Sequence, residues 1–111
     1  MGHLSHEFRR KGWNVLSSIE AYSNGNDCVE QDVLRPGVER ALFQGFKDTW
    51  SYHHFGTPCS SFSRLKTCFG TTTRTTLKPM GDGSLECERL GNLLMEFTCR
   101  AMACLYEHGS W

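Results

Sequence analysis

The stretch that decides the fold is YHHFGTPCSSFS, which occupies residues 52–63 of this 111-residue chain. Aromatic residues favour β-structure, and positions 50, 52 and 55 supply three of them. Gly56 and Pro58 then end the strand, because glycine brings no side chain and proline donates no ladder hydrogen bond. The pattern predicts a buried strand that ends in a turn carrying Cys59.

Two interpretations of Cys59 follow from this position. Open α/β sheets hold their ligands at the carboxyl ends of their strands, so a thiol placed there is a candidate reactive group. A free cysteine after a strand also commonly serves as a small buried hydrophobe. Serines at positions 60, 61 and 63 surround the thiol with small polar groups.

Charge and hydropathy exclude several classes of protein. The twelve basic residues balance the twelve acidic ones, so the formal net charge is zero. An autonomous DNA-binding protein normally carries a basic face, and this balance counts against one. The sequence contains no apolar run long enough to cross a bilayer, which predicts a chain without a membrane partner.

The cysteine pattern predicts reduced thiols in an intracellular protein, in the cytoplasm or the nucleus. The chain has six cysteines but no Cys-x-x-Cys motif, and residues 1–11 are too polar for a signal peptide. An alternative is a small metal-binding protein, although the spacing of its candidate ligands matches no known zinc pattern. Those candidates are His53, His54, Cys59 and Cys68.

The first part of the chain predicts a helix followed by a strand. Leu4 and Phe8 share one face of a helix over residues 3–11. Residues 13–19 are apolar enough for a strand, and Glu20 stands at its carboxyl end. In Rossmann-type sheets such an acid commonly binds ribose hydroxyls, and the alternative is a solvated loop carboxylate.

The remaining segments predict a short strand, a helix, a loop and a second helix. Residues 28–34 form the short strand, which contains Asp32, and residues 38–47 show the period of a helix. Residues 64–83 predict a long irregular loop whose basic side chains suit either phosphate binding or simple solvation. The apolar period over 84–108 predicts a long helix.

This order of elements predicts the fold class. Strands that alternate with helices form parallel sheets through right-handed crossovers. We therefore expect an α/β fold, namely an incomplete Rossmann-like parallel sheet of about three strands flanked by helices, in a single domain over residues 1–111.

The central turn resembles a family motif. FGTPCSSFS, residues 55–63, is similar to the proline–cysteine motif of DNA cytosine-5 methyltransferases and their divergent relatives. Those relatives often show Gly-Thr-Pro-Cys and a trailing Ser-Arg, which Ser63 and Arg64 match. Residues 2–5 and 12–15 resemble the end of the family's glycine-rich cofactor loop and its next strand, and residues 88–92 resemble the helix after the catalytic loop.

The resemblance implies a reaction and a set of site residues. It implies an S-adenosylmethionine methyltransferase fold in which the thiolate of Cys59 adds to carbon 6 of a cytosine flipped out of DNA. S-adenosylmethionine then supplies the methyl group. The implied cofactor-binding residues are Gly2, Glu20, Asp32 and Pro58, and the implied DNA-contacting residues are Ser61, Ser63 and Arg64.

Two departures from the family pattern limit this expectation. The family's Glu-Asn motif is absent, and only Gly2 remains of the glycine-rich loop. The chain is therefore expected to be a partial methyltransferase-like domain that is inactive by itself and whose partners are other segments of the same domain. The alternative is a non-catalytic remnant or interaction module that keeps part of the α/β fold.

Overall fold

The computed structural model describes residues 3–20, 28–48 and 51–110. None of the helices in these ranges combines the length and the apolar character that crossing a membrane requires. The elements, in chain order, are α1 (His3–Arg10), β1 (Ser18–Glu20), β2 (Cys28–Glu30), α2 (Val38–Asp48), a 3-10 turn (Ser60–Phe62), α3 (Arg64–Cys68) and α4 (Glu86–Glu107).

The core of the described structure lies along one face of α4. Phe97, Ala101 and Leu105 recur at helical spacing and are buried, since residues three or four apart share a face. α2 packs against this face, with the rings of Phe43 and Phe97 separated by 6.0 Å. The long helix is therefore the scaffold on which the second half of the chain is arranged.

The predicted three-stranded Rossmann-like sheet is wrong. β1 and β2 pair in parallel over three residues each, with Ser18 opposite Cys28 and Glu20 opposite Glu30. No third strand joins them in the described ranges, and residues 51–59 form no ladder. The described architecture is mostly helical, and the candidate site rests on a helix.

The central segment stays extended but packs against helices. The ring of Tyr52 stacks on Phe8 of α1 at 5.7 Å, and the ring of His53 meets Phe46 of α2 at 4.8 Å. β-propensity largely measures how well a side chain packs on a half-buried surface. Helices supply that surface here, so the aromatic pattern was satisfied without a sheet.

The other irregular segments also differ from the prediction. Within residues 13–19 only Ser18 and Ile19 belong to a strand, and Leu16 is 81% exposed. The amide of Trp13 donates to the carbonyl of Phe8, which extends the end of α1 into the segment expected to pair. The loop expected over 64–83 instead begins with the five residues of α3.

Candidate active site

Cys59 lies on an exposed bend. It is the residue before the 3-10 turn, and its carbonyl accepts a 2.9 Å hydrogen bond from the amide of Phe62. One step earlier, the hydroxyls of Thr57 and Thr98 meet at 2.7 Å and tie the approaching chain to α4. The thiol is exposed, outside any helix and not sealed in apolar packing. A substrate can therefore reach it.

Ser61 fixes the underside of this bend. Its side chain is buried and lies directly over Gly91 of α4, where a Cβ atom would overlap with the Ser61 hydroxyl. An isolated glycine inside a helical pattern usually has a packing reason, and close approach of the turn is the reason here. The turn thus docks at the one point of this helical face that lacks a side chain.

Arg74 binds the turn from the other side with two of its five N–H groups, and the other three donate to the loop before α4 and to α4 itself. The Nε group donates to the carbonyl of Ser61 at 3.1 Å, and Nη2 donates to the Ser61 hydroxyl at 3.2 Å and to the carbonyl of Glu88 at 3.1 Å. Nη1 donates to the Pro79 carbonyl and to the side-chain oxygen of Asn92, both at 2.7 Å. A guanidinium has five donors, so this one is fully satisfied.

The same guanidinium also contacts Phe62. Its central carbon lies 3.8 Å from the centroid of the Phe62 ring, in the geometry of a cation–π contact. Arg74 therefore joins both sides of the 3-10 turn to the loop before α4 and to α4 itself. This arrangement fixes the backbone that carries Cys59.

A buried carboxylate organises the loop that presents Arg74. Glu88 is fully buried, and its oxygens accept hydrogen bonds from the Thr72 and Thr73 hydroxyls and from the Thr73 amide. The Thr72 hydroxyl, the Thr73 groups and the positive charge of Arg74 lower the pKa of Glu88. The backbone of Gly81 passes close to this carboxylate and has a φ of +77°. A Cβ atom at Gly81 would overlap with the side chains of Glu88 and Thr73.

Two shallow depressions meet at Cys59. One is lined by Cys59, Phe62 and Lys66, together with Ser60 and Ser63. The Lys66 ammonium donates to the Cys87 sulfur at 4.0 Å. The other depression runs onto α4. It is lined by Thr57, Pro58, Cys59, Phe62, Met95, Thr98 and Cys99.

The residues expected to bind the cofactor are not brought together. Pro58 lines the second depression, but neither depression contains Glu20 or Asp32. Glu20 ends β1, with its carbonyl accepting from Gln31, and Asp32 accepts from the amide of Leu34 in a local turn. Gly2 lies outside the described residues. Glu20, Asp32 and Pro58 therefore do not line a common depression at Cys59.

The residues expected to contact DNA have different environments. Ser63 lines the first depression, and its hydroxyl accepts from the Leu65 amide at the start of α3. Arg64 is exposed on α3. Ser61 is buried and bonded to Arg74, so its side chain supports the turn and does not face a ligand.

The metal-binding alternative is not supported by the described residues. Among them, no group of three or more histidine, cysteine or acidic side chains is close enough to hold an ion. His53, one of the proposed ligands, shares a 2.6 Å hydrogen bond with the Ser51 hydroxyl and packs on Phe46, and burial lowers its pKa.

Sequence reasoning missed the residues that hold the turn in place. Gly91 could have been found, because a glycine in the middle of a strong helical pattern costs about 1 kcal/mol relative to alanine and invites an explanation. Arg74 lies in a threonine-rich run that matches a solvated loop. Glu88 lies in the first turn of α4, where an acid is usually explained by the helix dipole.

The chain was compared with known proteins. No family model, no curated protein and no solved structure matches it. The family resemblance therefore stays an expectation from the sequence, carried by residues 2–5, 12–15, 55–64 and 88–92.

Proposed function

We propose that this chain carries the nucleophile segment of a DNA cytosine-5 methyltransferase-like domain, with Cys59 as the group that adds to cytosine. The single observation that carries the proposal is an exposed thiol on a bend in which Arg74 holds Ser61 and Phe62. A nucleophile must be accessible to substrate and held by a rigid support.

Different residues of the bend meet the two requirements, which are access for the substrate and a rigid support. Ser61 and Phe62, the residues two and three positions after the thiol, are held by Arg74, and Thr57 is held by Thr98. Cys59 itself projects onto open surface. A cysteine that only filled space would be expected among the buried residues of α4, as Cys104 is.

The chemistry that such a thiol can perform is addition to a polarised ring. Carbon 5 of cytosine is a weak nucleophile until a thiolate bonds to carbon 6, which makes carbon 5 enamine-like. The target base has to leave the duplex to meet the sulfur, because both ring faces are covered in the stack. Lys66 lines the same depression as the thiol, and its ammonium, which donates to the Cys87 sulfur at 4.0 Å, supplies a positive charge that can meet a DNA phosphate.

S-adenosylmethionine is not needed for the addition of sulfur to the ring. Of the three expected cofactor-binding residues that the structure describes, Pro58 alone lines a depression at Cys59. The proposal therefore covers the addition of sulfur to the ring, and methyl transfer stays an expectation from the resemblance.

The test uses a duplex oligonucleotide in which 2-pyrimidinone replaces one cytosine. This base accepts a thiolate at carbon 6 and forms a stable adduct without a methyl donor. We expect a covalent protein–DNA species whose DNA-bearing peptide contains Cys59, and we expect Cys59→Ser to abolish it. Cys87→Ser is the matched control, since Cys87 is also exposed and lies in the first turn of α4.

Two results would contradict the proposal. One is the absence of any adduct from a folded wild-type chain. The other is an adduct that survives in Cys59→Ser or is lost equally in Cys87→Ser, because the reaction would then come from general thiol reactivity.

A second candidate function is an interaction module without chemistry. The observation that favours it is the exposed apolar surface on the outer face of α4, where Met102 is 57% and Tyr106 86% exposed. Contiguous exposed apolar surface marks partner sites. Under this alternative the pyrimidinone duplex gives no adduct, and Met102→Ser leaves the stability of the isolated chain unchanged.

A further inference from the structure

Cys59 shares a surface depression with a second exposed thiol. Cys99 lies on α4 and is exposed, and both cysteines line the same depression. The hydrogen bond between Thr57 and Thr98 fixes the two backbones to each other, two residues before one cysteine and one residue before the other. The fold therefore brings together two thiols that are 40 residues apart in the sequence.

The surroundings of this pair leave both thiols open to an oxidant. Pro58, Phe62 and Met95 give the depression an apolar wall. Both thiols are unpaired and open to solvent, so a small oxidant can reach either of them. Thiols that sense oxidants are accessible and stand next to a second cysteine that resolves the first product.

We propose that Cys59 and Cys99 form an oxidisable dithiol site, in which hydrogen peroxide converts the two thiols to a disulfide and thereby blocks Cys59. The regulatory meaning rests on the proposed function, since closing the disulfide removes the nucleophile. The formation of the disulfide does not depend on that function.

The reaction balances in two steps. The Cys59 sulfur attacks peroxide, the O–O bond breaks, one oxygen stays on sulfur as sulfenic acid and the other leaves as water. The Cys99 sulfur then attacks the sulfenic sulfur, the S–O bond breaks and a second water leaves. One peroxide is reduced by two electrons, and the two thiols supply them. A dithiol reductant reverses the product through thiol–disulfide exchange.

The disulfide sets a distance requirement on the two backbones. A disulfide needs Cα atoms within about 7 Å of each other. Cys59 precedes the turn and makes no side-chain hydrogen bond that caps it. The backbone is held on both sides of Cys59, by Thr57 before it and by Ser61 and Phe62 after it, so closure relies on rotation of the two cysteine side chains.

The experiment treats the purified full chain with graded hydrogen peroxide at low protein concentration. Remaining thiols are alkylated, and the unreduced chain is digested and mapped by mass spectrometry. We expect a Cys59–Cys99 peptide as the dominant disulfide in a monomeric protein, its loss in Cys99→Ser and its retention in Cys87→Ser. In Cys99→Ser, Cys59 should proceed to sulfinic acid, because its resolving partner is gone.

Specific results would overturn the proposal. They are a Cys59 disulfide to a cysteine other than Cys99, a disulfide only between two chains, or sulfinic acid at Cys59 that forms equally fast in wild type and in Cys99→Ser. Cys99 is exposed, so we expect Cys99→Ser to fold like wild type, and circular dichroism checks this. Because the mapping uses no DNA, its failure is distinguishable from failure of the pyrimidinone test.

Discussion

Replacing Gly91 by alanine tests whether the turn that carries Cys59 is docked on α4. In an open helix interior, Gly→Ala stabilises by about 1 kcal/mol through propensity. At Gly91 the new methyl group would overlap with the Ser61 hydroxyl and approach the Ser61 Cβ at 3.3 Å. The turn has to shift, and Ser61 then loses its contact with Arg74.

The magnitudes decide the sign of the effect. Overpacking a close contact costs about 1–3 kcal/mol, and one lost hydrogen bond costs about 1 kcal/mol more. Subtracting the propensity gain leaves a net destabilisation of about 1–3 kcal/mol for Gly91→Ala. Gly45→Ala in α2 is the matched control, since a Cβ there meets no atom within 4 Å. We expect that variant to be stabilised by about 0.5–1 kcal/mol.

The assay is urea denaturation of both variants, followed by circular dichroism. The double variant Gly91→Ala with Ser61→Gly removes the overlapping atoms, so it should recover part of the loss and show coupling between the two sites. If Gly91→Ala stabilises the chain as much as Gly45→Ala does, the turn is not seated on α4 and the site described above is wrong.

Three further outcomes follow from the same contacts. Arg74→Lys should destabilise the chain by about 3 kcal/mol, because the oxygens that accept from the guanidinium lose most of their donors. An unchanged urea midpoint would show that these hydrogen bonds do not stabilise the fold. The pKa of Glu88 is lowered from an ordinary value near 4.5, so its carboxylate stabilises the fold above that pH and the contribution is lost as the pH falls through the lowered folded pKa. The difference in free energy of unfolding between wild type and Glu88→Gln should therefore shrink on acidification. Asp82→Asn should show the same trend, because bonds from Ser84 lower the pKa of Asp82 too. A Glu88→Gln difference independent of pH would contradict the assignment. Calorimetry with S-adenosylmethionine should give no binding heat, and saturable binding would show that the cofactor residues do assemble.

The helices were the predictable part of the fold. α2 and α4 lie where the 3.6-residue period predicted helices, because their apolar positions repeat strongly enough to read from one sequence. The sheet was misjudged because an aromatic, β-favouring segment at 51–59 looks the same whether a strand or a helix covers it. Tyr52 and His53 pack on Phe8 and Phe46, contacts between segments that no local pattern reveals.

The turn of the candidate site was predictable from the sequence, and the residues that support the turn were not. The local sequence at Pro58 and Cys59 predicts a bend, and the structure contains an accessible thiol on a bend. The support comes from Arg74 and Glu88, which are polar residues in a polar neighbourhood. Charged side chains are almost never fully buried unless they are paired, and a sequence does not show the pairing.

Covalent trapping with the pyrimidinone duplex is the measurement that tests most directly whether Cys59 is the nucleophile. The sulfur of Cys59 should bond to the ring without any methyl donor, and tryptic mapping should locate the DNA on the peptide that contains Cys59. A folded chain that forms no such bond, or forms it on Cys68, Cys87 or Cys99, would contradict the account.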